Sequence, residues 1–285
     1  MYIYPKHFKM NTDLLLSDFS LKPVTASEIE FYLFGSEEKE LVEFWGDVKE
    51  ECAKADISIY KIEKERGHEQ YEISLVPCYN PKKTGDDTNN LKNIVLDLAV
   101  KYRMQASFAA KPLADDFGNG LHINIHLEDA NGKNQFYKKD EIISDILNYA
   151  LGGLLLWMPD TMPIFAPTEE SYKRFADGSN APLTVSWGAN NRTTALRLPD
   201  SAHDNKRIEH RVAGADADAN KVIEVILAAI HYGIANKIKP PAQIYGDARL
   251  PTYNCERFAT SLQEATRKMQ NSPFSPFKIL LTGLV

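Results

Sequence analysis

The stretch Leu121-His-Ile-Asn-Ile-His-Leu127 alternates apolar and polar residues without a break. A period of two puts Leu121, Ile123, Ile125 and Leu127 on one face of a β-strand and His122, Asn124 and His126 on the other. The pattern recurs elsewhere. Glu28, Glu30 and Tyr32 oppose Ile29, Phe31 and Leu33. Glu72 and Ser74 oppose Ile73 and Leu75. Arg207, Glu209 and Arg211 oppose Ile208, His210 and Val212. Each strand thus offers an aliphatic face to a core and shows a face of Glu, His, Asn or Arg.

A one-sided antiparallel sheet with a solvated outer face would account for any single strand. Two details point to a site instead. The polar faces carry no Lys, and Glu28 and Glu30 share a face with no cation beside them in sequence. If these strands share a sheet, carboxylates converge, and such a group raises its own pKa values unless cations neutralise it. Glutamate oxygens with an imidazole suit a hard or borderline divalent ion, Mg²⁺ or Mn²⁺. Arg192, Arg197, Arg207 and Arg211 suit phosphates or carboxylates, which guanidinium grips through paired hydrogen bonds. Metal ions beside arginines are the equipment of phosphoryl transfer.

Working outward, apolar stripes at helical spacing predict helices over 39–54, 89–103, 140–156, 219–236 and 256–270. Strands are expected at 27–34, 57–63, 71–76, 105–110, 121–127, 183–187, 193–198 and 206–212, separated by polar loops at 77–90, 111–120, 128–134, 159–182, 199–205 and 213–218. No stretch reads as an interdomain linker, so residues 1–285 are expected to form one α+β domain. Trp45, Trp157 and Cys52 read as core, and Lys82-Lys83 as a solvated turn. His7, His68, His203 and His231 read as surface or capped histidines. His126 and His210 both stay open, His210 lying on the opposite side of its strand from Glu209.

The composition is that of a globular chain: 285 residues, 44% hydrophobic, 25% charged, net charge −6. It excludes a disordered chain or a fibre, and the acidic balance argues against nucleic acid as a partner. Cysteines number 3, at Cys52, Cys78 and Cys255, without a C-x-x-C, so a reducing, cytoplasmic setting is expected. No membrane span is expected. The run Ala150–Met158 is too short, and Val222–Ala235 carries Glu224 and His231. The N-terminus lacks the order of a signal peptide.

From about Ser27 to Thr252 the chain resembles the catalytic domain of glutamine synthetase. The resemblance rests on motifs in order: Glu28-Ile-Glu-Phe-Tyr-Leu-Phe34, Glu65-Arg-Gly-His-Glu-Gln-Tyr-Glu-Ile73, Lys111-Pro112 with Gly118-Asn-Gly-Leu-His122, Ser171-Tyr-Lys-Arg174, Ala181-Pro182, Asn191-Arg192 with Arg197, and Arg207-Ile-Glu-His-Arg211. It implies a curved, largely antiparallel sheet forming a funnel with helices outside, and two or three divalent ions at its narrow end. Glu30, Glu65 and Glu72 would hold one ion. Glu28, His122 and Glu209 would hold the ion that bridges ATP phosphates. Arg197 and Arg207 match nucleotide-phosphate contacts, with Asn124 beside them. Arg174 and Arg211, near the Gly118 backbone, match the pair that grips the substrate carboxylates, and Arg192 would stabilise charge during transfer. The implied reaction phosphorylates a side-chain carboxylate with ATP, and an amine then displaces phosphate to leave an amide. ATP, a small acid and an amine are the implied partners, in a homo- or hetero-oligomer.

The chain also departs from the family. Only 26 residues precede Ser27, where the family has a small β-grasp domain, and the chain stops soon after Pro273, with an apolar tail Phe274–Val285. Asn180 stands at a flap position where the family has a proton-accepting glutamate; branches acting on larger amines or other acids also lack it, which disfavours ammonia as acceptor, and the implied product is glutamine or a γ-glutamyl amide. Phe117 stands where the family has a substrate-touching asparagine. Beside the ligase reading stand a non-catalytic nucleotide or metabolite sensor and one subunit of a hetero-oligomeric ligase.

Overall fold

The alternating runs pair edge to edge in one sheet. The structure, a computed structural model, describes residues 12–36, 38–139, 143–176, 179–201 and 205–273. His7, His203, the start of the expected helix 140–156 and the tail Phe274–Val285 lie outside the described residues. The strands are β1 (Lys22–Phe34), β2 (Ile59–Lys64), β3 (Gln70–Leu75), β4 (Gln105–Ser107), β5 (Leu121–Glu128), β6 (Trp187–Ala189), β7 (Leu196–Leu198) and β8 (Ile208–His210). Their order is β2-β3-β1-β5-β8-β7-β6, with β4 also on β1. Every pairing is antiparallel except that of β6 with β7. The expected α+β class with a largely antiparallel sheet is the one observed. Register sets Glu30 opposite Glu72, Glu28 opposite His122, and Asn124 opposite Glu209.

The helices are α1 (Thr12–Phe19), α2 (Glu38–Lys54), α3 (Pro81–Lys101), α4 (Asp145–Phe165), α5 (Ala219–Ala235) and α6 (Leu262–Asn271). Helix α3 packs on β1, α2 and α5, while α4 packs on α5 and α6. The aliphatic strand face meets them in one buried cluster that includes Ile29, Phe31, Leu33, Ile73, Ile123 and Ile125. Cys52 and Trp157 lie in that core as expected, and Trp45 packs edge-on against Phe44 at its margin. His210 is buried 4.7 Å from Phe165, on the side away from Glu209, and burial drives its pKa down to about 3.

Several expectations need correcting. The loop 77–90 is mostly helix, and Lys82-Lys83 lie in its first turn. Asn80 caps Lys83 N at 3.2 Å, and Pro81 presets the helical φ. Residues 81–88 hide this helix because their buried contacts are polar: Thr84 meets Thr25 at 2.8 Å and Thr88 meets Ser27 at 2.6 Å. The loop 159–182 likewise loses its first part to α4, which runs through Pro159 and Pro163 to Phe165. A proline inside a helix costs about 3 kcal/mol, but Trp157, Met158, Met162 and Phe165 are all buried there, and their packing outweighs it. Helix α1 has no counterpart in the sequence reading. Its Asp18 pairs with His231 of α5 at 2.8 Å, the cap that histidine was expected to have. Strands β4, β7 and β8 are shorter than expected, β6 lies at Trp187–Ala189 instead of 183–187, and Thr184 joins Arg257 through an isolated bridge.

Helices α4 and α5 cross backbone to backbone. A Cβ on Gly153 would lie 2.1 Å from Ala229 O and 2.7 Å from Gly233 Cα. Gly153→Ala should therefore destabilise the protein by about 1–3 kcal/mol. Gly46→Ala in α2 meets nothing within 4 Å and should add roughly 0.5–1 kcal/mol. Urea unfolding of both variants checks the pair, and shifts of the same sign would refute the crossing geometry.

Candidate active site

The polar strand faces line a cavity of about 810 Å³ that runs from Val24 and Pro77 past Asn124 to Glu30 and Glu65. Strands β3, β1 and β5 sit side by side and contribute Glu72, Glu28, Glu30, His122 and Asn124 to its lining. One ligand atom each from Glu30, Glu65 and Glu72 falls within 4.8 Å of the others, and Glu28, Glu72 and His122 form a second such group. The expected Glu30–Glu65–Glu72 set is thus brought together. In the second set Glu72 stands with Glu28 and His122, while Glu209 lies 3.7 Å from His122 Nδ1 and is occupied by two arginines.

Burial, then Glu28, Glu30, Glu65 and Glu209, pushes the Glu72 carboxyl up to about 9. Burial and Glu30 raise Glu65 as well. Burial would also raise Glu209, but Arg211, His122 and Arg197 outweigh it and bring it down to about 2. His122 Nδ1 is buried without a hydrogen-bond partner, 3.4 Å from Glu28 Oε2. Self-repelling carboxylates around an unsatisfied imidazole nitrogen form an oxygen-rich donor set that fits Mg²⁺ or Mn²⁺.

Cations surround the acids. Arg197 Nη1 donates to Glu209 Oε2 at 2.6 Å and its Nη2 to Asn190 Oδ1 at 2.7 Å, while Arg211 pairs with Glu209 Oε1. Arg207 Nε donates to Asn124 Oδ1 at 2.9 Å, and Asn124 Nδ2 donates to Glu28 Oε1 at 2.8 Å. Arg192 projects from the turn after β6 and lines the same cavity. A small annexe opens beside it, lined by Gly118, Phe117, Arg174, Asn180 and Arg211. Arg174 sits on a 3₁₀ turn (Glu170–Phe175) and donates to Val212 O and Arg211 O at 2.8 and 3.2 Å. The Phe117 carbonyl accepts from Tyr32 Oη at 2.9 Å, so its backbone is held. Every site residue singled out in the sequence lines the cavity or its annexe.

Three further residues at the site had no role assigned from the sequence. Gly120 N donates to Glu30 Oε2 at 2.6 Å, and a Cβ there would lie 2.8 Å from both Arg174 Nη2 and His122 Nε2. Its signals were its place in the Gly118-Asn-Gly-Leu-His122 motif and its position directly before the alternating strand. His126, left open from sequence, lines the cavity and pairs with Glu128 at 2.9 Å. Arg249 also lines it and holds the Asn180 segment by donating to Ser179 O at 3.0 Å. Nothing near it in sequence marks that role.

Comparison with known proteins follows the same lines. Residues 37–280 match the family model for the glutamine synthetase catalytic domain. The chain is 38% identical over 178 residues to the gamma-glutamylputrescine synthetase of Escherichia coli (strain K12), covering 62% of this chain and 38% of that protein. It is 34% identical over 223 residues to a glutamate–isopropylamine ligase of Pseudomonas sp, covering 77% and 48%. It is 32% identical over 247 residues to the glutamine synthetase of Pyrococcus horikoshii, covering 80% and 55%. The chain therefore spans about half the length or less of these relatives. The solved GmaS–ADP complex superimposes with a TM-score of 0.83 at 23% identity, covering 98% of this chain and 69% of that one, a likeness of fold.

Without metal, burial and the acidic neighbours keep the Glu72 carboxyl protonated at neutral pH, so Glu72→Gln replaces a neutral acid by an amide of similar shape. In divalent-free buffer the variant should melt no lower than the parent. Millimolar Mn²⁺ should raise the parent by several degrees, since a ligand at 100 times its Kd adds about 2.7 kcal/mol and each kcal/mol moves the midpoint by roughly 2–4 °C. The variant should gain much less. Equal gains in thermal scans with and without Mn²⁺ would remove Glu72 from the metal set.

Proposed function

The chain belongs to the glutamine synthetase family, and on that premise we propose that it joins a carboxylic acid to an amine at the expense of ATP, through an acyl phosphate. The observation that carries this reading is the convergence of two carboxylate groups sharing Glu72 with Arg192, Arg197, Arg207 and Arg211 in one cavity. The acid is an amino acid of the glutamate type and the acceptor a primary amine. The names of the relatives support this. A cytoplasmic setting and an oligomeric assembly belong to the same reading.

Two anions, the triphosphate and the acid, must be held together against their mutual repulsion. Mg²⁺ or Mn²⁺, when bound, supplies charge neutralisation and polarises the transferring phosphoryl group. Glu30, Glu65 and Glu72 would hold one ion, and Glu28, His122 and Glu209 another, with Glu72 close to both. Arg197 and Arg207 face the phosphates from β7 and the start of β8. Arg174 and Arg211 bracket the annexe and take the carboxylates of the acid, beside the Gly118 backbone. Arg192 reaches in from its turn to stabilise the charge that builds on the transferred group. Phosphorylation turns a hydroxide-like leaving group into phosphate, and the free amine then attacks the acyl carbon.

Release of ADP should require the protein, Mg²⁺, glutamate and an amine from a panel of ammonia, ethanolamine, isopropylamine and putrescine. Arg192→Ala should lower kcat by about 10²–10³-fold with a smaller change in KM. No divalent-dependent ADP release with any acid–amine pair would overturn the ligase reading.

A further inference from the structure

Asn124 occupies the middle of the polar face of β5, with β1 on one side and β8 on the other. Its cross-strand partners are Ala26 and Glu209. The side chain bonds neither of them. It reaches the diagonal neighbours, Glu28 on β1 and Arg207 just before β8, at 2.8 and 2.9 Å. Diagonal same-face positions lie roughly 7–8 Å apart, a span that one short amide bridges when a long side chain meets it from each side. The orientation of the amide is forced. A guanidinium only donates and an ionised carboxylate only accepts, so Nδ2 must face Glu28 and Oδ1 must face Arg207. An aspartate here would repel Glu28, and a lysine would repel Arg207. Asn124 is 7% exposed, so water does not readily replace either bond.

The two partners belong to different halves of the site. Glu28 is one of the group that includes Glu72 and His122, and Arg207 is one of the cations along the cavity wall. We propose that Asn124 is a positioning residue that ties the cation-binding group to the anion-binding arginines, so that ordering one orders the other. The proposal rests on the ligase reading of this cavity. A divalent ion needs the Glu28 carboxylate aimed at it, and a phosphate needs the Arg207 plane fixed. One amide supplies both constraints, and the resulting coupling is reciprocal.

The test keeps the two halves apart. Mn²⁺ binding is measured by electron paramagnetic resonance without nucleotide, and ADP binding by calorimetry in EDTA without metal, on the parent and on Asn124→Leu. Asn124→Ala, which adds no bulk, serves if the leucine variant does not fold. Mn²⁺ affinity should fall about 10–100-fold, as when a group orienting a metal ligand is lost. ADP affinity should fall about tenfold or more, the loss expected for a hydrogen bond to a charged group. A loss confined to ADP would make Asn124 a nucleotide contact only. A loss confined to Mn²⁺ would make it a support for Glu28 only. Either result, or no change in both affinities, overturns the proposal. A parent protein that binds neither Mn²⁺ nor ADP would overturn the ligase reading itself, which distinguishes the two failures.

Discussion

The repulsion among Glu28, Glu30, Glu65 and Glu72 governs the rest of this structure. Bringing carboxylates within a few ångströms where water is scarce is unfavourable unless positive charge answers it. The fold supplies part of the answer itself. Gly120 N holds Glu30, the Asn124 amide holds Glu28, and Arg197 with Arg211 holds Glu209. Glu72 receives only a long contact of 3.4 Å from Ser74 Oγ, and its raised pKa is the part left over. A group of this kind forgoes stability, as sites kept for function do.

Two kinds of support hold the site. Apart from Glu65, which directly follows β2, the acids, His122 and Arg197 stand on sheet strands whose register is set by backbone ladders and by the buried aliphatic face behind them. Arg174, Arg192 and Asn180 stand on irregular backbone, and each segment is tied to a neighbour by polar bonds. Arg174 is bonded to the chain after β8. The turn of Arg192 is pinned by Asn191, whose Nδ2 donates to Gly246 O at 2.7 Å. Arg249 ties Ser179 to the segment that follows α5. Residues 244–249 thus brace two separate edges of the cavity, a role carried mostly by backbone carbonyls.

Much of the fold could be read from side-chain type alone, because burial is written into period. The alternation in β1, β3 and β5 and the stripes of α2 and α5 mark which face meets the core, and the structure keeps those faces. Reading failed where stability comes from something other than apolar contact. The first turns of α3 pack through Thr84 and Thr88 hydroxyls, and α4 continues past two prolines because its far end is buried. The short strands β6, β7 and β8 owe their pairing to their neighbours.

By itself the sequence determined which side chains of the long strands face the cavity, since a strand allows only two directions and the hydrophobic face settles which is buried. It also determined the chemistry available, acids and arginines with imidazole, and the family to which those motifs belong. Only the tertiary structure decided how they group: that Glu72 stands near both clusters, that two arginines occupy Glu209, and that Asn124 bridges β1 and β8. Those relations depend on strand order and on diagonal distances across neighbouring strands. Residues far apart in the chain become neighbours only through the whole sheet, so no local pattern carries the information.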